Sequence, residues 1–239
     1  MNAGRIDFEQ APGADPMAVG PLVECDAVER SYVRGGVEVA AVRKVSCAVE
    51  PGMQVALTGP SGSGKSTLLH LLAGLDRPTA GAVLWPGLGG APQGWPGVVG
   101  VVFQGPSLIP ALDVLENVAM PLLLAGVAQD AAVERASAAL DRLGIGGLAR
   151  KLPEEISGGQ AQRVAVARVL ACGPRLILAD EPTGQLDHDT GMAVVSVLLE
   201  VAEELGAAVV VSTHDAGVAA RLPQLWHMDD GRLTMAGPS

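Results

Sequence analysis

Three short segments of this chain carry residue types and spacings that suit chemistry on phosphate. The first, Gly59-Pro60-Ser61-Gly62-Ser63-Gly64-Lys65-Ser66-Thr67, fits the pattern G-x-x-x-x-G-K-[ST] and lies between an apolar, strand-like run and a helix-like one. Glycines in such a loop let successive backbone N–H groups turn inward as a nest for phosphate oxygens, and the following helix offers its positive end to the same anion. Lys65 is placed to reach β- and γ-phosphates, and Ser66 to bind Mg²⁺. The second segment, 175–183, is an apolar strand ending in two adjacent carboxylates, Asp180 and Glu181. Where a strand ends the chain turns, so the two can take different tasks: Asp180 suits the Mg²⁺ shell through water, and Glu181 suits a general base that polarises an attacking water. The third, 156–163, opens a helix. Ser157 is its cap, and Gly158 and Gly159 let a ligand approach the exposed N–H groups, which makes a second anion site.

The elements that must position these groups follow from apolar patterning. Strand-like runs occur at 22–28, 37–42, 45–49 and 53–58, which suggest an antiparallel β layer leading into a core strand that ends at Gly59. A helix is expected over 65–73, a turn at 78–81, a Gly/Pro-rich loop at 86–97 and a buried strand at 98–103. From about 105 to 170 the chain reads as mostly helical, with Asp113 and Glu116 spaced as a capping pair. Strand 176–179, helix 191–205 and strand 208–211 then restore the alternation of a parallel sheet covered on both faces. Residues 1–20 mix Gly, Pro and acids without periodicity and read as a flexible tail.

Composition narrows the class. The 239 residues are 49% hydrophobic, enough for a substantial core. The longest apolar run, 118–128, is about half of what a membrane-spanning helix needs, so the chain is expected to act at a membrane only from outside the bilayer. A basic start followed by an apolar stretch is missing, so no secretory signal is expected. The cysteines, Cys25, Cys47 and Cys172, are too scattered for a disulfide framework or metal knuckle and read as buried thiols in a reducing compartment. A formal charge of −10 argues against a nucleic-acid partner held through phosphates.

Taken together, the three segments resemble the ATP-binding-cassette (ABC) ATPases over about 22–233. Ser157 to Gln160 matches that family's signature, with Ile156 where leucine is more usual, and the phosphate loop and Asp180-Glu181 match its two Walker motifs. The resemblance extends to further residues. Gln104 matches the glutamine that ligates Mg²⁺ and senses the transporter, and Gly184-Gln185-Leu186-Asp187 resembles the D-loop. His214 matches the histidine that contacts the γ-phosphate, and Tyr32 falls where the family places an aromatic on adenine. Segments 75–81 and 116–121 look like the subgroup of lipoprotein-release, macrolide-export and antimicrobial-peptide-resistance ATPases; in 86–97 the chain is shorter and richer in Gly and Pro than that subgroup. His70, His188 and His227 are read as structural.

The fold implied is α/β: a P-loop NTPase parallel-sheet core with an antiparallel β subdomain and an inserted helical subdomain. Residues 21–239 would form the ATPase domain, with about 105–170 inserted. The implied activity is ATP hydrolysis with Mg²⁺. The implied assembly is a head-to-tail homodimer or cassette heterodimer, with two ATP molecules clamped between the cradle of one copy and Ser157, Gly158 and Gly159 of the other. An integral membrane permease would take up the motion, which puts the chain on the cytoplasmic face of the inner membrane as a peripheral subunit. The alternative is a cassette that regulates cell division or wall hydrolases through a membrane partner, without transport.

Overall fold

The computed structural model describes residues 20–92 and 97–236. The tail expected over 1–20 lies, apart from Gly20, outside the described residues, as do positions 93–96 of the Gly/Pro-rich loop.

Two sheets are stacked around helices. Strands β1 (Val23–Arg34), β2 (Val37–Val49) and β4 (Ala80–Leu84) form an antiparallel sheet in the order β2-β1-β4. The second sheet has six strands in the order β5-β6-β7-β3-β8-β9: β5 (Val99–Val102), β6 (Leu176–Asp180), β7 (Ala208–Ser212), β3 (Gln54–Thr58), β8 (Gln224–Asp229) and β9 (Arg232–Ala236). All its pairings are parallel except β8 with β9.

The apolar strands are continuous because both faces of this sheet are covered. Side chains alternate across the pleat, so Val55, Leu57, Leu176, Leu178, Ala208 and Val210 join one core with helix α1 (Lys65–Leu72) and the antiparallel sheet. Ala56, Ile177, Ala179, Val209 and Val211 join a second core. That core is closed by α2 (Val114–Leu124), α3 (Gln129–Arg142), α4 (Gly158–Cys172) and α5 (His188–Leu205), with the short α6 (Ala216–Ala219) at its edge.

Helices α2 to α4 occupy the stretch between β5 and β6. Asp113 and Glu116 form the expected reciprocal cap on α2, with Glu116 N–H donating to Asp113 Oδ1 and Asp113 N–H to Glu116 Oε2, both at 2.8 Å. Further α2 amides, of Val114 and Leu115, donate to the carbonyls of Lys151 and Ala149, so this helix start has no orphan donors to solvate. Arg142 on α3 reaches Glu204 on α5 with two parallel bonds of 2.7 and 2.9 Å and ties the helical lobe to the sheet-covering layer.

Several expectations change in detail. The runs at 37–42 and 45–49 are one strand, because Lys44 takes a positive φ that lets β2 kink without ending. The turn at 78–81 leads directly into β4, a half-exposed edge strand whose Gly-containing sequence hides its period. The loop at 86–97 opens with a 3₁₀ turn at Pro86–Leu88. Cys25 and Cys47, remote in sequence, are register partners across β1 and β2, and Cys172 is half-buried where full burial was expected. Hydrogen bonding with Cys25, then burial, pushes the Cys47 thiol far above its ordinary range. Among the described residues no helix is long and apolar enough to cross a membrane.

Candidate active site

Parallel strands end on the same edge of a sheet, and here that edge collects the candidate groups. The phosphate loop follows β3, Phe103-Gln104 follows β5, Asp180 is the last residue of β6, and His214 stands two residues beyond β7.

The phosphate loop has left-handed backbone at Gly59, Gly62 and Gly64. A Cβ at Gly64 would stand 2.1 Å from the Ala41 carbonyl oxygen, and one at Gly59 2.0 Å from that of Met228, so both positions need glycine for packing as well as for φ. A Cβ at Gly62 would meet open space. Ser63 N–H donates to the Pro60 carbonyl, and Gly231 N–H to that of Ser63, which pins the loop to the β8–β9 turn. Lys65 is buried, with Nζ donating to the carbonyls of Gly59 at 2.8 Å and Pro60 at 3.0 Å. The N-terminus of α1 has neither a side-chain cap nor an acid in its first turn. Its amides and a buried ammonium therefore converge with nothing anionic to answer them, which is the donor set a polyphosphate requires. Ser61 and Ser66 are exposed, and Thr67 is half-buried.

Asp180 is buried, and its Oδ1 accepts the Ser212 hydroxyl. Glu181 takes φ 45°, outside the range a carboxylate residue ordinarily adopts. Its amide donates to both the Ser212 carbonyl at 3.1 Å and the Ser212 hydroxyl at 3.0 Å, and this double hold keeps the turn in place. His214 is exposed, with Nδ1 3.5 Å from Glu181 Oε2. A carboxylate and a polar ring at that separation can share one water between them. An open cleft of about 700 Å³ runs from Gly59, Pro60 and His214 past Ala219 to Leu225 and His227.

The donors fit magnesium. Among the described residues no group of three or more His, Cys, Asp or Glu is placed to hold a metal by itself. Ser66 and Asp180 would supply a hydroxyl and a carboxylate of the kind Mg²⁺ takes alongside phosphate oxygens, and Gln104, exposed after β5, would add a carbonyl.

Other expected residues stand apart from this edge. Ser157 and Gln160 cap α4 reciprocally, Gln160 N–H to Ser157 Oγ at 3.2 Å and Ser157 N–H to Gln160 Oε1 at 2.8 Å. The Gly158 and Gly159 backbone lies against Gln185 and Leu186, where added Cβ atoms would stand 3.1 and 3.0 Å from the nearest atoms. No hydrogen bond or ion pair among the described residues joins 157–160 to 59–67. Asp187 caps α5 by accepting from Thr190 N–H at 3.0 Å, and that amide holds its carboxyl below the usual range. Tyr32 on β1 donates its hydroxyl to Asp76 Oδ2 at 2.7 Å.

Two features escaped the sequence. Ser212 falls just beyond the strand expected over 208–211, and only the β6–β7 register places it beside Asp180. Gln162, fully buried on α4, donates to the Phe103 carbonyl at 3.2 Å and so joins the signature helix to the segment carrying Gln104. A glutamine in an otherwise apolar helix face was the available signal.

A protein-family model described as ABC transporter matches residues 42–184. The lipoprotein-releasing system ATP-binding protein LolD of Shewanella denitrificans is 42% identical over 222 residues, covering 90% of this chain and 95% of that one. The protein of the same name from Maricaulis maris is 40% identical over 225 residues, with 91% and 98% covered. Among solved structures, the dimeric post-hydrolysis state of the ATP-binding cassette MJ0796, bound to ADP and Pi, superimposes with a TM-score of 0.83 at 35% identity, covering 90% of this chain and 97% of that one. Site geometry and relatives agree: the chain belongs to the ABC transporter family, as one of its ATP-hydrolysing cassettes.

Proposed function

We propose that the chain works as one half of a cassette pair that closes on two ATP molecules and drives an integral membrane partner, and that the cargo is a lipoprotein released from the outer face of that membrane. This reading is supported by the dimeric state of the similar cassette MJ0796 and by Ser157–Gly159 making, among the described residues, no hydrogen bond or ion pair to the phosphate loop of the same chain. Each copy has a cradle and a second anion-binding helix start that the same cradle does not use, and a two-fold pair would complete both sites at once. The cargo rests on the lipoprotein-releasing relatives, and the working place is the cytoplasmic face of the inner membrane.

In the closed pair, Lys65 leaves the Gly59 and Pro60 carbonyls for the β- and γ-phosphates, and the α1 amides take the remaining charge. Glu181 holds the attacking water in line with the γ-phosphate and receives its proton, while His214 steadies the γ-phosphate oxygens. Ser66, Gln104 and, through water, Asp180 would hold Mg²⁺, which would supply positive charge to offset that of the triphosphate. The partner's Ser157 hydroxyl and glycine amides reach the γ-phosphate from the other side. Cleavage breaks that bridge, and the pair opens. Tyr32 supports the base, and Asp187 lies at the junction of the two copies.

The test is the mass of the Glu181→Gln protein in saturating ATP, read by light scattering. A dimer that reverts to monomer in ADP, and that the added change Ser157→Arg abolishes, is expected. A monomer at every ATP concentration overturns the paired clamp.

A further inference from the structure

Tyr32 is held more firmly than a surface tyrosine needs to be. The Arg30 guanidinium lies over its ring, 4.5 Å from the centroid, and Asp76 accepts the Tyr32 hydroxyl at 2.7 Å. Asp76 also takes Arg30 in a fork, with Nε to Oδ2 at 2.8 Å and a terminal nitrogen to Oδ1 at 2.8 Å. Both of the rotations that would swing the ring are thereby blocked. Burial opposes the charge on Asp76, but the Tyr32 hydroxyl, the Arg77 amide and Arg30 outweigh it and hold the carboxyl below its ordinary range.

Asp76 has its own anchor. Its amide donates to the His70 carbonyl in the last turn of α1, the helix whose first residue is Lys65. Five helical steps from Lys65 to His70, about 7.5 Å of axial rise, thus link the phosphate cradle to the anchor of the carboxylate that aims the ring.

We infer that Arg30 and Asp76 are positioning residues for the nucleotide base: they fix Tyr32 with one face covered by a cation, so that a purine stacks only on the other, at a set distance from the phosphate loop. The inference rests on reading Tyr32 as the base platform. A guanidinium behind the ring draws π-density away from the open face and favours an electron-rich purine there.

The experiment measures dissociation constants for ATP and for inorganic tripolyphosphate, which has no base, by calorimetry. Tyr32→Ala should weaken ATP about 10-fold, within the range of one lost base stack, and leave tripolyphosphate unchanged. Arg30→Gln and Asp76→Asn should each weaken ATP about 3- to 5-fold, spare tripolyphosphate, and add nothing in a Tyr32→Ala background. Arg30→Lys, which keeps a cation, should recover part of the loss. If Tyr32→Ala leaves ATP binding intact, the platform reading falls and takes the inference with it. If Tyr32→Ala weakens ATP but Arg30→Gln and Asp76→Asn do not, the inference alone falls. Equal losses for tripolyphosphate in the Arg30 and Asp76 variants would make the pair a support for α1 and overturn it too.

Discussion

Ser212 and Asp180 are register partners at the ends of β7 and β6, and the serine hydroxyl donates to the carboxylate at 2.5 Å. The same hydroxyl accepts the Glu181 amide, so one side chain orients both acids of the site. Ser212→Ala leaves the strand intact but frees the Asp180 carboxylate to rotate. Turnover is expected to fall about 10-fold, or ~1.4 kcal/mol of barrier, with more Mg²⁺ needed for half-maximal rate and metal-free ATP binding unchanged. A Mg²⁺ titration of ATPase rate that overlays the wild type would end this account of Ser212.

Glu181→Gln keeps the shape and the amide bonds of the turn but removes the proposed proton acceptor. Steady-state ATPase should drop by roughly 10² to 10⁴ while ATP affinity holds. Turnover within a few-fold of the parent protein would move the base elsewhere.

Gly64→Ala raises intrinsic helix propensity at the start of α1, yet it should be harmful. Its φ of 105° and the Ala41 carbonyl at 2.1 Å from the new Cβ leave no relaxed position. A loss of about 1–3 kcal/mol from backbone strain and a large fall in ATP affinity are expected together. Denaturant melts and nucleotide titrations of one sample check both, and a stable variant that binds ATP normally contradicts the loop geometry.

Asn117 is fully buried on α2, where its side chain accepts from Ile109 N–H and donates to the carbonyls of Ile109, Leu112 and Asp113. Asn117→Ala strands these groups and should cost about 2–3 kcal/mol. Hydrogen exchange over 109–117 should quicken while ATP binding persists; unchanged exchange there would show that the loop is held by other contacts.

Burial pushes the Cys172 thiol up to about 11 against the opposing pull of Arg135 and Arg168, and Cys47 is raised as well. A thiol whose folded value lies above its unfolded one favours folding fully below the ordinary thiol value, and that contribution fades as pH climbs from about 8.5. Stability should therefore decline between about pH 8.5 and 11, and Cys172→Ala should blunt the decline. Melting points that stay level across this range would refute the assignment.

The motifs were legible because each is local. Gly59 to Thr67, Asp180-Glu181 and Ser157 to Gln160 are contiguous, and their chemistry depends on a turn or helix start that the same few residues build. Alternating apolar strands and helices likewise revealed the parallel core, since burial on both faces leaves near-continuous apolar runs such as 208–211. What stayed hidden depends on register. Ser212 beside Asp180, Cys25 opposite Cys47, and Asp76 under Tyr32 join residues 22 to 44 positions apart or belong to strands whose pairing no local pattern encodes. Strand β4 was lost for a simpler reason: half-exposed and glycine-containing, it lacks the period that marks a strand.

The twisted backbone at residue 181 has a cost for durability. Glycine would relax there at once, so a change that toughens this fold against heat would, under the proposed mechanism, also silence it. A screen that rewarded only survival of the folded state would tend to erase the acid to which the proposed mechanism gives the water's proton, and the ruggedness of such descendants would say nothing about their ability to work.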